Sequence, residues 1–196
     1  PKLIVLENVV GLLTSHGGED FKEVVRSLAA LGYRVGAMAI DAARFVPQSR
    51  PRVFFVAVRN DLTPPPALVG REPDEWTTSD ALRKAAGRLT GYTKDHWLWW
   101  RLPEPPKRNA AFADLVEAQP QGVDWHSPEQ TRRLVSMMSE PNRLKLEKLK
   151  AGKRAGYATA YRRTRPDGSG GKTQRVELRI DGLAGCLRTA AGGSSR

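Results

Sequence analysis

Two short, uninterrupted apolar runs, Leu3-Ile4-Val5-Leu6 and Val53-Phe54-Phe55-Val56-Ala57-Val58, most constrain how this chain can fold. Runs of this kind are typical of strands that are covered on both faces. Between them, apolar residues at helical spacing predict a helix that begins after Gly17-Gly18 and ends near Gly32. A further strand is predicted from Tyr33 to Ile40. The pattern predicts a β-α-β-β arrangement, and so an α/β protein.

The link between the last two predicted strands is short and centres on Pro47. A parallel crossover needs about a dozen residues or more, so we expect these strands to pair antiparallel. Two charged clusters adjoin the apolar runs: Glu7-Asn8-Val9 follows the first run, and Gln48-Ser49-Arg50-Pro51-Arg52 precedes the last. Open α/β sheets bind ligands at strand ends, so both clusters are candidate site residues.

The side chains in these clusters suit contact with a polar ligand. In a concave site, burial would keep the Glu7 carboxyl protonated and able to donate a hydrogen bond. Arg50 and Arg52 offer planar N–H donors to a carbonyl or carboxylate, and we expect one to face a ligand while the other braces its surroundings. The alternatives are a helix cap or solvated turn for Glu7, and a structural salt-bridge cluster for the arginines.

A boundary is predicted near Pro64-Pro65-Pro66, which divides the chain into residues 1–60 and residues 61–196. In the second part, the sequence predicts three short helices and one strand from Val176 to Ile180. The rest of the basic C-terminal region is predicted to be irregular. The predicted helices are Ser79 to Leu89, one that starts at Ser127-Pro128-Glu129, and one from Pro141 to Gly152. The cluster Trp97, Trp99 and Trp100 is interpreted as core rather than as a platform for stacking bases.

The chain is strongly basic, with a formal net charge of +11, and the charge concentrates at its C-terminal end. Residues 151–196 hold ten Lys and Arg against three Asp and Glu. Such a region suits a polyanion such as nucleic acid; the alternative is a solvated basic tail. No apolar run approaches the roughly 20 residues of a membrane span, and we expect neither a membrane nor a metal partner.

The N-terminal residues resemble two sequence blocks of the DNA cytosine-5 methyltransferases of bacterial type. Glu7-Asn8-Val9 resembles that family's Glu-Asn-Val block, and Gln48-Ser49-Arg50-Pro51-Arg52 resembles its Gln-x-Arg-x-Arg block. The match in order and spacing covers residues 3–58. A second stretch, residues 156–196, resembles the target-recognition region of some members. Many members carry Thr-Leu where this chain has Cys186-Leu187.

The resemblance implies a fold and a chemistry. It implies the C-terminal part of a Rossmann-like methyltransferase sheet in residues 1–60, and a smaller, irregular, mixed α+β recognition domain in residues 61–196, incomplete at its C-terminus. In this family a cysteine attacks C6 of a flipped cytosine in duplex DNA, and S-adenosylmethionine donates a methyl group to C5.

Individual roles follow from the same resemblance. Glu7 matches the glutamate that holds the cytosine N3 edge, and Arg52 matches the arginine that contacts the carbonyl O2; both would be catalytic. Arg50 is grouped with these catalytic residues, where it would brace the site, and Asn8 and Gln48 would support it. The expected DNA-binding residues are Arg162, Arg163, Arg165, Arg188, Thr189, Gly192, Gly193 and Ser194.

Two blocks of the family do not occur in this sequence: the Pro-Cys-Gln block with the nucleophile and the Phe-x-Gly-x-Gly cofactor loop. The single cysteine, Cys186, is interpreted as a packed or DNA-facing thiol. We therefore expect a fragment of a bacterial, cytoplasmic methyltransferase that is inactive alone. A second chain with the missing blocks is a candidate partner, and restriction-modification is the expected context.

Two other functions remain open from the sequence. One is a non-catalytic DNA-binding subunit or degenerate homologue that lends recognition to another enzyme. The other is an RNA-directed relative, since some tRNA-modifying proteins share the first two blocks. The large basic C-terminal region favours duplex DNA over RNA.

Overall fold

A computed structural model of the protein describes residues 1–152 and 156–186. The chain forms two compact units, one from residues 1–44 and 51–106 and the other from residues 45–50 and the chain from residue 107 onward. Helices and small sheets occur in both units, so the protein is mixed α/β. This agrees with the fold class predicted from the sequence. The functional division at residue 60 stays a prediction, because compactness does not identify the residues that recognise a ligand.

The first unit is built on a three-stranded antiparallel sheet of β1 (Leu3–Val9), β2 (Tyr33–Asp41) and β3 (Pro51–Arg59). The spatial order is β1-β3-β2, so β3 pairs with both neighbours. The antiparallel pairing predicted for β2 and β3 is confirmed, since the short link allows no crossover.

One face of this sheet is covered by α1 (Glu19–Ala30). Two short 3₁₀ helices, Val10–Leu13 and Ser15–Gly18, connect β1 to α1. Its fully buried Phe21 lies 5.7 Å from Phe55 of β3, measured between ring centroids. The helix ends where Gly32 adopts a positive φ of 84°, a backbone conformation that favours glycine. The predicted helix and its stop signal are confirmed.

The outer edge of β2 is paired by the chain that follows β3. The main-chain amide of Val35 donates to the carbonyl of His96, and that of Leu98 donates to Val35, each at 2.8 Å. Within the first unit, the chain after β3 also forms four short elements. In chain order they are β4 (Val69–Gly70), α2 (Asp80–Ala86), α3 (Gly91–Asp95) and β5 (Trp99–Trp100). Two further 3₁₀ turns span Ala42–Arg44 and Pro66–Leu68.

Trp97, Trp99 and Trp100 pack into a core, as predicted, but it is the core of the first unit and not that of a separate small domain. Trp97 packs edge-on against Phe21 and Trp99, and Trp100 is buried over the sheet. Gly36 allows this approach, because a Cβ there would overlap the Leu98 carbonyl and the Trp100 ring.

The apolar run in β1 is not covered on both faces by the residues that the structure describes. Leu3 and Val5 are more than half exposed, and Leu6 and Val9 are also exposed. Within the described part of the chain β1 pairs only with β3, so its second edge and much of its apolar surface remain open. The coverage on both faces that the sequence predicts is therefore not supplied by the described residues.

The second unit contains two helices, α4 (Pro128–Ser136) and α5 (Glu140–Lys150), and a hairpin of β6 (Thr159–Pro166) and β7 (Lys172–Arg179). It also holds a 3₁₀ helix, Phe112–Leu115. Both helices occur where the sequence predicts them, and Ser127 caps α4 by accepting from the Gln130 amide.

The prediction of a single strand in the basic C-terminal region is wrong. The structure has two paired strands there, and β7 begins four residues before the predicted Val176. Buried Val176 and Leu178 of β7 form a small core with Met138. No helix in the described residues is long and apolar enough to cross a membrane.

Candidate functional site

Glu7 lies inside β1, two residues before its end, and not beyond it as the apolar run alone suggests. The strand continues because Asn8 and Val9 pair with Val53 and Arg52 of β3. The Asn8 side-chain oxygen accepts from the Val9 amide at 2.8 Å, so it fixes the backbone beside Glu7.

The register of β1 and β3 brings Glu7 and Arg52 together. Glu7 is opposite Phe54, and Arg52 is two residues before Phe54, so the two charged side chains are diagonal neighbours on one face of the sheet. Arg52 Nε donates to Glu7 Oε1 over 3.1 Å, and Arg52 Nη1 donates to its neighbour, the Pro51 carbonyl, at 2.8 Å.

The two side chains differ in exposure. The Glu7 side chain is 51% exposed, whereas that of Arg52 is 16% exposed. The burial expected around Glu7 is therefore not supplied by the described residues. The pair presents a carboxyl group, a donor when it is protonated, beside guanidinium donors, which suits the edge of a planar ring that carries an acceptor nitrogen next to a carbonyl.

Gln48 and Arg50 make their described contacts in the second unit. Arg50 Nη1 donates to Sγ of Cys186 at 3.4 Å, and the Gln48 side chain makes a longer contact, 3.5 Å, with the Gly185 carbonyl. The backbone adds two firmer bonds: Ser49 donates to the Ala184 carbonyl at 2.9 Å, and Ala184 donates to Pro47 at 2.8 Å.

We call this arrangement of residues 47–50 against residues 184–186 the clamp. Within the clamp, the half-buried Cys186 thiol packs against Arg50. The structure thus brings Glu7 together with Arg52, and Gln48 and Arg50 together with the segment at Cys186. Nothing in the sequence pairs positions so far apart, so the clamp was not predicted.

The predicted DNA contacts on β6 divide between the two faces of the hairpin. Arg163 and Arg165 share one face with Tyr161, as alternate residues of a strand do. Arg162 lies on the other face, opposite buried Val176. The remaining predicted contacts lie outside the described residues: Arg188, Thr189, Gly192, Gly193 and Ser194.

The carboxylate of Glu177 on β7 contacts both exposed arginines, although Glu177 is not among the residues predicted from the sequence to contact DNA. Its Oε2 is 3.4 Å from Arg163 Nε, and its Oε1 accepts from Arg165 Nε at 2.7 Å. The alternation Arg175, Glu177, Arg179 could have indicated a charged strand face, but the partner strand was not recognised.

Asp181, which follows this hairpin, has a pKa below its usual value. A hydrogen bond from Arg179 lowers the pKa of Asp181, and the charge of Arg179 and the Leu183 amide act in the same direction. The closest contact, Arg179 Nη2 to Asp181 Oδ2, is 2.6 Å. This pair fixes the turn after β7, beside the clamp residue Ala184.

Among residues 1–152 and 156–186, no group of three or more His, Cys, Asp or Glu side chains is placed to hold a metal ion.

Comparison with known proteins identifies relatives along most of the chain. A family model described as C-5 cytosine-specific DNA methylase matches residues 1–175. The chain is 32% identical over 144 residues to the orphan methyltransferase M.SPBetaI of Bacillus phage SPbeta, across 70% of this chain and 30% of that protein.

Shorter matches are closer in sequence. The chain is 48% identical over 63 residues to the type II methyltransferase M.BspRI of Lysinibacillus sphaericus, across 32% of this chain and 15% of that protein. It is 36% identical over 136 residues to the type II methyltransferase M.PspPI of Psychrobacter, across 64% of this chain and 29% of that protein. The chain spans less than a third of the length of these relatives.

Proposed function

The chain belongs to the family of C-5 cytosine-specific DNA methylases, and we propose that it supplies base-holding residues and DNA recognition to such an enzyme. The complete enzyme would move a methyl group from S-adenosylmethionine to C5 of a flipped cytosine in duplex DNA. The observation that carries the proposal is the contact of Glu7 with Arg52 on one face of the sheet.

In this proposal Glu7 and Arg52 hold one edge of the cytosine ring. Glu7 would bond to N3, and Arg52 would donate to the carbonyl O2. Attack at C6 increases electron density on the ring, so a hydrogen bond at N3 stabilises the transition state more than the ground state. The existing contact between the two side chains supports this role, because it places the carboxyl group, which would donate to N3 once protonated, beside the guanidinium group that would donate to O2.

Asn8, Gln48 and Arg50 are proposed as supporting residues. Asn8 fixes the backbone next to Glu7 through the Val9 amide. Gln48 and Arg50 contact the segment at Cys186, so they would brace the recognition region. This assigns Arg50 a positioning role and leaves direct contact with the base to Arg52.

The proposed fold of the complete catalytic domain is a Rossmann-like sheet. The open edge of β1 and its exposed Leu3 and Val5 support this, because a strand and covering helices from outside the described residues would bury them. Residues 61–196 would form the recognition domain. Its exposed arginines, Arg163 and Arg165, would contact phosphates.

The methyl donor would be bound elsewhere in the complete enzyme. This sequence has neither the Phe-x-Gly-x-Gly loop nor the Pro-Cys-Gln block, so it offers no fit for the donor and no nucleophile. We therefore assign no step with the donor to this chain, and we propose that the chain alone is inactive. The complete enzyme would act in the bacterial cytoplasm, in a restriction-modification or orphan context.

A second candidate is a non-catalytic DNA-binding subunit or degenerate homologue, which the exposed Arg163 and Arg165 of the hairpin would also suit. The two candidates differ in one assay. The chain is incubated with duplex DNA and labelled S-adenosylmethionine, alone and after completion with a polypeptide that carries both missing blocks. We call the second sample the completed enzyme.

The proposal predicts no label transfer by the chain alone and transfer to cytosine C5 by the completed enzyme. Label transfer by the chain alone would contradict the proposal that the chain is inactive without the two missing blocks. DNA binding by the chain together with a completed sample that never transfers label would favour the non-catalytic subunit.

A further inference from the structure

We propose that Glu177 is a positioning residue that holds Arg163 and Arg165 ready for contact with DNA phosphates. The inference rests on the proposed function and extends it to a residue with no basic character of its own. Glu177 lies on β7, whereas both arginines lie on β6, so the three side chains meet across the hairpin.

The geometry divides the Glu177 carboxylate between the two arginines. Oε2 faces Arg163 Nε at 3.4 Å, and Oε1 accepts from Arg165 Nε at 2.7 Å and also pairs with Arg165 Nη2. The Glu177 side chain is 21% exposed, whereas those of Arg163 and Arg165 are 48% and 46% exposed. The carboxylate thus lies beneath two accessible guanidinium groups.

Arg163 is held by a second contact. Its guanidinium carbon lies 4.9 Å from the ring centroid of Tyr161, which itself is opposite Glu177 in the register of the hairpin. A guanidinium group over an aromatic face is attracted by the ring. Arg163 is therefore confined from two sides, by Tyr161 and by Glu177.

The hairpin also places two like charges next to each other, an arrangement that does not favour folding. Arg163 and Arg175 are directly opposite each other on the two strands. Like charges in that position destabilise a strand pair. The face that carries Glu177 also carries Arg163, Arg165, Arg175 and Arg179, and this positive balance suits a polyanion such as the DNA backbone.

A positioned arginine binds at lower entropic cost than a mobile one. Arg side chains lose much rotamer freedom when they are immobilised, and prior fixation reduces that loss on binding. A guanidinium group has five N–H donors, so a carboxylate with two oxygens shared between two arginines leaves donors for phosphate. Removal of Glu177 should therefore weaken DNA binding, although it makes the protein more positive.

The test measures the affinity of the chain for a mixed-sequence DNA duplex by fluorescence anisotropy over a range of salt concentrations. The variant is Glu177→Gln, and the matched control is Glu147→Gln. Glu147 lies on α5 in the same unit, with an exposed side chain paired to Lys150. Both substitutions change the net charge equally. Glu177→Asp keeps the charge but shortens the side chain, and it serves as a second variant.

We expect Glu177→Gln to weaken binding about three- to tenfold. The number of ions released on binding, obtained from the salt dependence of the affinity, should fall by roughly one. Glu177→Asp should weaken binding in the same direction, and Glu147→Gln should leave it unchanged or slightly stronger. In a background that carries both Arg163→Gln and Arg165→Gln, the effect of Glu177→Gln should vanish, because it acts through those side chains.

Three outcomes would overturn the inference. Tighter binding by Glu177→Gln would show that the carboxylate competes with phosphate. An effect that persists without the two arginines would show a long-range charge effect. If the unaltered chain fails to bind duplex DNA, the proposed function fails as well, which distinguishes that result from the first two.

Discussion

Arg52 donates from Nε to Oε1 of Glu7 over 3.1 Å, between diagonal positions on adjacent antiparallel strands. The two residues are 45 positions apart in sequence, and only the register of β1 and β3 brings them together. A one-residue slip of either strand would move one side chain to the opposite face. The pairing of the strands is therefore the structural basis of the proposed base-holding site.

Arg52→Lys should lower the activity of the completed enzyme. An ammonium group lacks the planar fork that can serve Glu7 and a base carbonyl together, so we expect kcat/KM to fall about ten- to a hundredfold. Arg59→Lys is the matched control, because Arg59 lies on the same strand and pairs with exposed Asp61. Steady-state methyl transfer checks this, and equal effects of the two substitutions would contradict it.

Gly36→Ala should destabilise the first unit. A Cβ at this position would lie 2.5 Å from Cδ1 of Trp100 and would also overlap the Leu98 carbonyl. Overpacking of this kind typically lowers the free energy of unfolding by about 1–3 kcal/mol. In Gly11→Ala the nearest atom would be 3.9 Å away, so that control should change stability little. Urea unfolding measures both, and an unchanged midpoint for Gly36→Ala would refute the close packing.

Ala184→Pro should open the clamp. Proline removes the amide that donates to the Pro47 carbonyl at 2.8 Å, and the loss of one such bond costs about 1–3 kcal/mol. Ala184→Ser retains the amide and is the control. Hydrogen exchange should show faster exchange of the Ser49 amide in the proline variant only. Unchanged protection of Ser49 would mean that the clamp does not hold this segment.

Asp181→Asn should reduce the loss of stability in acid. The hydrogen bond from Arg179 holds the pKa of Asp181 below its unfolded value. The stabilisation is therefore present above the unfolded pKa, about 3.9, and is lost as the pH falls through the lower folded pKa. The effect is small because the Asp181 side chain is 52% exposed.

The measurement for Asp181 is the urea midpoint at several pH values from neutral down to about pH 2.5. The unaltered chain should lose more stability below about pH 4 than Asp181→Asn does. Asp95→Asn is the control, since Asp95 makes no ion pair with the residues that the structure describes. Parallel acid profiles for Asp181→Asn and the unaltered chain would rule out the role of this pair.

Local signals in the sequence predicted much of the fold. The apolar stripe and Gly32 located α1, and Ser127-Pro128 located the start of α4, because caps and periodicity act within a few residues. The strand β6 was not predicted because its sequence, Thr-Ala-Tyr-Arg-Arg-Thr-Arg-Pro, has no apolar face. Its hairpin is stabilised by Val176 and Leu178 of the partner strand.

The sequence indicated Glu7 and Arg52 as candidate residues, but the geometry that joins them could not be predicted from it. Glu7 was expected beyond a strand end, yet long-range pairing with β3 extends β1 to Val9. The contact of Arg50 with Cys186 joins positions 136 residues apart, so no local pattern could indicate it. Glu177 was overlooked for the same reason, since its role depends on which strand lies opposite.

The most direct test of the account is a single-turnover measurement of methyl transfer by the completed enzyme with Glu7→Gln. Gln keeps the shape of the side chain but lacks the carboxyl group, so the account predicts a rate lower by about a hundred- to a thousandfold, with duplex affinity within about twofold. Glu19→Gln, which removes an exposed carboxylate paired with Lys22 in the same unit, should leave the rate unchanged. A Glu7→Gln enzyme as fast as the unaltered one would contradict the central claim that this chain holds the reacting base.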